Sequence, residues 1–187
     1  MRLDAGSAFR RAFHAASPLF LAYYLLPLDL WIGFPRSYLA VTLWSVTLVI
    51  ETLRLAFGLD IIGLRDYEQD QISAYFWGGT ALTLGLLFFP PPFVVVVMCG
   101  MAWIDPLCAW TRKVGGYPLL PLVFYAVIVL AVLRLMSTSS LMDLAILATL
   151  ASAVAIAAEY PTVRYVDDDF TMQMVPLLAM TLLGMLL

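Results

Sequence analysis

The stretch FVVVVMCGMAWIDPLCAW, Phe93 to Trp110, is apolar throughout except for one carboxylate, Asp105. A helix that crosses a membrane needs about 20 mostly apolar residues, and this run reads as one, with an acid placed late in it. Its neighbours follow the same pattern. Pro90-Pro91-Pro92 closes an apolar run over Ile72–Phe89, and Gly115-Gly116 separates the quoted stretch from Tyr117–Leu135. Further outward lie Pro18–Phe34, Tyr38–Phe57, Leu141–Tyr160 and Phe170–Leu187, with breaks at Pro35, Gly58, Gly63 and Pro161. The expected fold is therefore all-α: a polytopic membrane helix bundle of about seven transmembrane helices in a single domain, residues 1–187. The first span is interrupted by Pro27 and Asp29.

Composition agrees. The chain is 63% hydrophobic and 12% charged, with a mean hydropathy of +0.94. A soluble domain averages about 45–50% apolar and about 25% charged residues. The net charge of −3 supplies no basic patch for nucleic acid. Cys99 and Cys108 lie about 180° apart on one helix and cannot pair with each other. The N-terminal MRLDAGSAFRRAFHAA is polar and basic, without a separate apolar core before a cleavage site. It is expected to form an amphipathic interfacial helix over residues 1–16.

Orientation follows from the bias of basic residues toward the cytoplasm. With a cytoplasmic N-terminus and seven crossings, Arg2, Arg10, Arg11, Arg54, Arg65, Arg112, Lys113 and Arg164 fall on the cytoplasmic side. Only Arg36 and Arg134 fall outside. The same topology brings Glu51, Asp105 and Glu159, from three separate segments, to one depth. Ionisable groups at membrane depth cost several kcal/mol unless paired or solvated, and mark functional sites.

The charged groups also recur in short patterns. Glu51 and Arg54 are three residues apart on one helix face, and Arg65 and Glu68 repeat the spacing in the following loop. As plain ion pairs these are worth about 0.2–0.5 kcal/mol each. Arg112 and Lys113 can be read as snorkelling cations at a helix end, but that does not explain Asp105. Of Asp167-Asp168-Asp169, one acid suits a helix N-terminus. Three in a row repel unless a cation intervenes, and Mg²⁺ takes such oxygen ligands together with substrate phosphates. His14 is the only histidine, which excludes an HExxH zinc site. Gly58 and Gly63 have P-loop spacing, but Leu64 stands where that loop needs lysine, and GxGxxG does not occur.

Taken in order, these patterns resemble a family. Arg10-Arg11-x-x-His14, Glu51-x-x-Arg54, Arg65-x-x-Glu68, Asp105-Pro106-Leu107-x-Ala109, and Glu159 followed by Asp168, Asp169, Thr171 and Pro176 together resemble the CTP-dependent lipid kinases. These are dolichol kinase, phytol kinase and the CTP-dependent diacylglycerol kinase, a group related to phosphatidate cytidylyltransferases. The resemblance covers nearly the whole chain. Gly115-Gly116-Tyr117-Pro118 stands where the family carries Lys-Ser/Thr-x-Glu-Gly, and the family's Asp-Asp-Asn is Asp168-Asp169-Phe170 or Asp167-Asp168-Asp169 here.

The resemblance implies a membrane lipid kinase that moves the terminal phosphate of CTP to the hydroxyl of a polyprenol or dolichol-type lipid. Asp168, Asp169 and Asp105 would hold Mg²⁺. Arg11, His14, Arg54, Arg65, Glu68, Arg112 and Lys113 would form the nucleotide site. Glu51, Asp105 or Glu159 would accept the hydroxyl proton, with Asp105 preferred. A cytidylyltransferase making a CDP-lipid is the alternative. A transporter is disfavoured, because the charges gather at one face and no internal repeat is visible. The partners expected are a lipid alcohol and a nucleotide; a homo-oligomer is left open.

Overall fold

The computed structural model of the chain describes residues 5–31, 33–159 and 166–187. Among them are seven α-helices: α1 (Ala5–Ala16), α2 (Arg36–Phe57), α3 (Ala74–Phe88), α4 (Pro91–Val114), α5 (Leu119–Met136), α6 (Leu141–Ala158) and α7 (Asp168–Gly184). Two short strands, β1 (Asp29–Trp31) and β2 (Phe34–Pro35), pair antiparallel. The all-α class expected from sequence is observed. Four helices, α2, α4, α5 and α6, are long and apolar enough to cross a membrane. At about 1.5 Å per residue, the 22 residues of α2 and the 24 of α4 exceed the roughly 30 Å of a bilayer core.

Local chemistry sets the helix boundaries. Ser73 and Ser140 accept backbone N–H groups at the starts of α3 and α6, and Asp167 does so for α7. Gly58 ends α2 in the left-handed conformation, φ 61°, which a side chain would strain.

One expected helix is corrected. Residues 18–34 do not form an α-helix: Ser17–Leu25 is a 3-10 helix, and the chain then turns through β1 and β2. Proline is the physical reason. Pro18 lies in the first turn, and Pro27 pushes Leu26 into an extended conformation, ψ 144°. Arg36 secures the turn by donating its backbone N–H to Leu28 O and its Nη1 to Leu26 O, while its guanidinium covers Tyr23 and Tyr24. The N-terminal helix is found as α1; residues 1–4 lie outside the described part, as do Tyr160–Tyr165, including the expected break at Pro161 and the cation Arg164.

The core is centred on α4. It packs against α5, α7 and the 3-10 helix, while α5, α6 and α7 pack in succession and α7 closes onto α3. More than half of the apolar window of α4 is buried (56%), against 17% for α2, which leans mainly on α3. Small residues permit the close approaches. Ala148, Ala151, Ser152 and Ala155 line the buried side of α6. On α4, a Cβ at Gly100 would overlap the Tyr125 ring of α5. Cys99 and Cys108 are both buried and free. Away from the core, large apolar side chains stay exposed along α2 (Leu43, Val46, Val49, Ile50 and Leu53) and α5 (Val123, Phe124 and Val127).

Because the long helices alternate in direction, the end of α2, the start of α3, the end of α4, the end of α6 and the start of α7 meet at one end of the bundle. Arg10, Arg11, Arg54, Arg65, Arg112 and Lys113 all lie there. Arg36 and Arg134 lie at the other end.

Candidate functional site

The charged end contains three groups of side chains with different degrees of saturation. The first is a closed clasp. Arg54 is 1% exposed and engages all five of its N–H groups. Nε and Nη2 bond both oxygens of Glu51 at 3.1 and 2.8 Å, Nη1 reaches Glu68 O and Gln69 O, and Nη2 also reaches Gln71 O at 2.6 Å. Glu51 in turn accepts Ser73 N at 2.7 Å and Ser73 Oγ at 3.0 Å. Glu68 accepts Arg65 N and Ala74 N, and lies 3.6 Å from Arg10. The clasp fixes the loop between α2 and α3. In this arrangement Arg54 has no N–H left for a phosphate, and Glu51 faces its partners rather than an open space.

The second group is open. His14, on α1, stands between two helices. Its Nε2 is 3.1 Å from Met101 O and 3.6 Å from Asp105 Oδ2 on α4, and its Nδ1 is 3.9 Å from Asp169 Oδ1 on α7. Pro106 follows Asp105 and lacks the N–H that would otherwise bond Ala102 O, a local break in the α4 ladder beside the histidine.

At the start of α7, Asp167, Asp168 and Asp169 each offer a carboxylate oxygen, and these oxygens lie within 4.8 Å of one another. The third acid gathered with Asp168 and Asp169 is thus Asp167; Asp105 is linked to them through His14. Arg65 faces this group, 3.6 Å from Asp167 and 4.0 Å from Asp168, and also bonds Tyr67. Burial and the neighbouring Asp168 push Asp167 up to about 7, against the pull of Asp169 N–H and Arg65.

The third group is a pair at the far side of α4. Arg112 contacts Glu159 at 3.0 Å and lies over the Tyr117 ring at 4.6 Å. The Tyr117 hydroxyl is 3.5 Å from Glu159. Lys113 is exposed, with no ion partner among the described residues. Arg11 is exposed too, and its neighbour Arg10 turns inward instead.

From the open group a cavity of about 420 Å³ runs between the 3-10 helix, α2, α3 and α4. Its polar end has Arg10, His14, Asp169 and Gln173, and its length is apolar, with Leu43, Trp44, Leu82 and Leu86 among its lining. A site of this form can hold a molecule with a long apolar body and a small polar head.

Two residues here, Arg10 and Gln173, lie outside the expected ligand and catalytic set. Arg10 shares a helix face with His14 four residues on, a spacing that favours it over Arg11. Gln173 is one turn beyond Asp169 on the same face. Asp167, part of the acidic run that the sequence marks for a cation, joins Asp168 and Asp169 here. No family model matches the chain, and no curated protein and no solved structure matches it.

Proposed function

We propose that the chain is a membrane-embedded lipid kinase that transfers the terminal phosphate of CTP to the hydroxyl of a polyprenol-like lipid. One observation carries it: the polar end of a long apolar cavity coincides with His14 and Asp169, beside Asp105. The cavity suits the chain of the lipid, and the carboxylates suit its hydroxyl. The sequence resemblance supplies the donor.

In this reading the bundle crosses the bilayer seven times, the first crossing being the 3-10 helix and hairpin rather than an α-helix, with α1 and the charged end at the cytoplasmic face. Non-helical backbone at membrane depth is tolerated where it is covered by protein, and this segment packs against α4. Asp168 and Asp169, with Asp167 and from across the site Asp105, would hold Mg²⁺, whose chemistry is to neutralise the triphosphate. Lys113 and Arg65 meet phosphate oxygens. Asp105 accepts the proton of the lipid hydroxyl as its oxygen bonds to the γ-phosphorus and the bond to the β-phosphate oxygen of CDP breaks. His14 holds the Asp105 carboxylate in place. Phosphoryl transfer asks little more of a protein than positioning and charge neutralisation.

The test uses purified protein in detergent with Mg²⁺, a mixed lipid extract, and CTP labelled at either the α or the γ phosphate. Label reaching lipid from the γ position alone supports the kinase. Label from the α position would make it a cytidylyltransferase. No transfer from either, with CTP binding unchanged in Asp105→Asn, overturns both.

A further inference from the structure

Among the described residues, four buried side-chain atoms have no hydrogen-bond partner: Ser17 Oγ, Tyr24 Oη, Tyr125 Oη and Gln173 Oε1. Two of these four residues, Ser17 and Gln173, line the same apolar cavity. Burying an unpaired polar atom is costly, so two on residues that line one cavity point to a ligand that completes them.

The orientation of the Gln173 amide is fixed by its surroundings. Nε2 donates to Asp169 O at 2.9 Å and faces Gly78 O at 3.4 Å and Met101 Sδ at 3.2 Å, all acceptors. A flipped amide would set its oxygen against two carbonyls. Oε1 is therefore the unpartnered atom, and it can only accept. A ligand that satisfies it must carry a donor. Helical side chains lean toward the N-terminus, which places this amide under Asp169 and His14, at the polar end of the cavity.

We propose that Gln173 is the residue that recognises the head of a single-chain lipid alcohol. In the nucleotide-free state its Oε1 accepts the O–H of the ligand, which turns to Asp105 only for transfer, Ser17 Oγ donates to the ligand oxygen, and the chain fills the cavity past Trp44, Leu82 and Leu86. A long-chain carboxylate is disfavoured because it has no proton to donate and would meet Asp169. This assignment rests on taking the cavity as the acceptor site, but it concerns binding alone and does not need the transfer step.

The test measures binding without nucleotide, on the full chain in lipid nanodiscs. The probe is a long-chain primary alcohol brominated at mid-chain, read by quenching of Trp44 fluorescence as the difference between the parent and Trp44→Phe. The comparison ligand is the methyl ether of the same alcohol, which keeps the chain and the oxygen but has no O–H. The parent is expected to bind the alcohol about five- to tenfold more tightly than the ether, the worth of one net hydrogen bond. Gln173→Met should erase that difference, while Ser17→Ala, whose hydroxyl serves the oxygen common to both ligands, should weaken both together, as should Gly79→Leu, at a position open to the addition of a side chain. Equal binding of alcohol and ether by the parent overturns the proposal, as does an undiminished preference in Gln173→Met. Should Gln173→Met fail to fold, the parent's preference still decides, and Gln173→Leu gives a second reading of it. Alcohol binding with no phosphate transfer would leave this assignment standing and refute the kinase.

Discussion

His14 Nε2 lies 3.6 Å from Asp105 Oδ2, so the one histidine of the chain joins the N-terminal helix to an acid inside α4. Loss of the acid and loss of the histidine should therefore have different signatures. Asp105→Asn is expected to lower phosphate transfer about a hundredfold or more, the scale of a lost proton acceptor, with little change in melting temperature. His14→Ala should lower both, because it also releases α1 from α4. Kinetics and thermal unfolding in detergent, run on both variants, check this.

The Glu51–Arg54 clasp leads to a prediction about stability rather than rate. Arg54→Met leaves a buried carboxylate without its cation, a change that costs about 3–5 kcal/mol. The double variant Glu51→Gln/Arg54→Met should recover part of that loss. Thermal unfolding of the parent, the two single variants and the double variant gives the coupling. Additive losses would mean that the two side chains do not depend on one another.

Asp167 makes stability depend on pH. Its folded value of about 7 lies above the roughly 3.9 of an unfolded aspartate, so the folded state holds the proton more tightly. That contribution is full below about pH 4 and is lost as pH rises through about 7. In EDTA, Asp167→Asn keeps the helix cap and should match the parent below about pH 4. By pH 8 it should be more stable by roughly 3–4 kcal/mol. Melting curves across that range provide the check, and a difference that does not change with pH would contradict the burial of Asp167.

Tyr125 and Gly100 predict opposite changes. The Tyr125 hydroxyl is buried without a partner, so Tyr125→Phe should stabilise by about 1 kcal/mol. Gly100→Ala should destabilise by about 1–3 kcal/mol, the usual cost of overpacking, because its methyl group would overlap the same ring. Denaturation in detergent measures both.

How far the sequence could be read depended on the range of the interaction involved. The helices from α2 onward were legible because apolar runs and their Pro and Gly breaks are local. The span over residues 18–34 was not: its hydropathy suggested a helix, while Pro18 and Pro27 set the backbone. The meeting of charges at one end follows from helices that alternate in direction. What each charge does at that end did not follow, since Arg54 is saturated by three carbonyls of a loop that spacing alone cannot place. Arg10 and Gln173 could have been found through their four-residue spacing to His14 and Asp169. The cavity could not, because it depends on how α2 leans on α3.

The 3-10 segment also bears on how such a protein enters a membrane. Under the proposed seven crossings, Ser17–Leu25, flanked by Pro27 and Asp29, offers an insertion machinery too little helix to be released into lipid by itself. Most of its cover comes from α4, which is synthesised some sixty residues later. The N-terminal portion would then wait at the machinery until α4 emerges, making assembly of this end of the bundle a late event in biosynthesis.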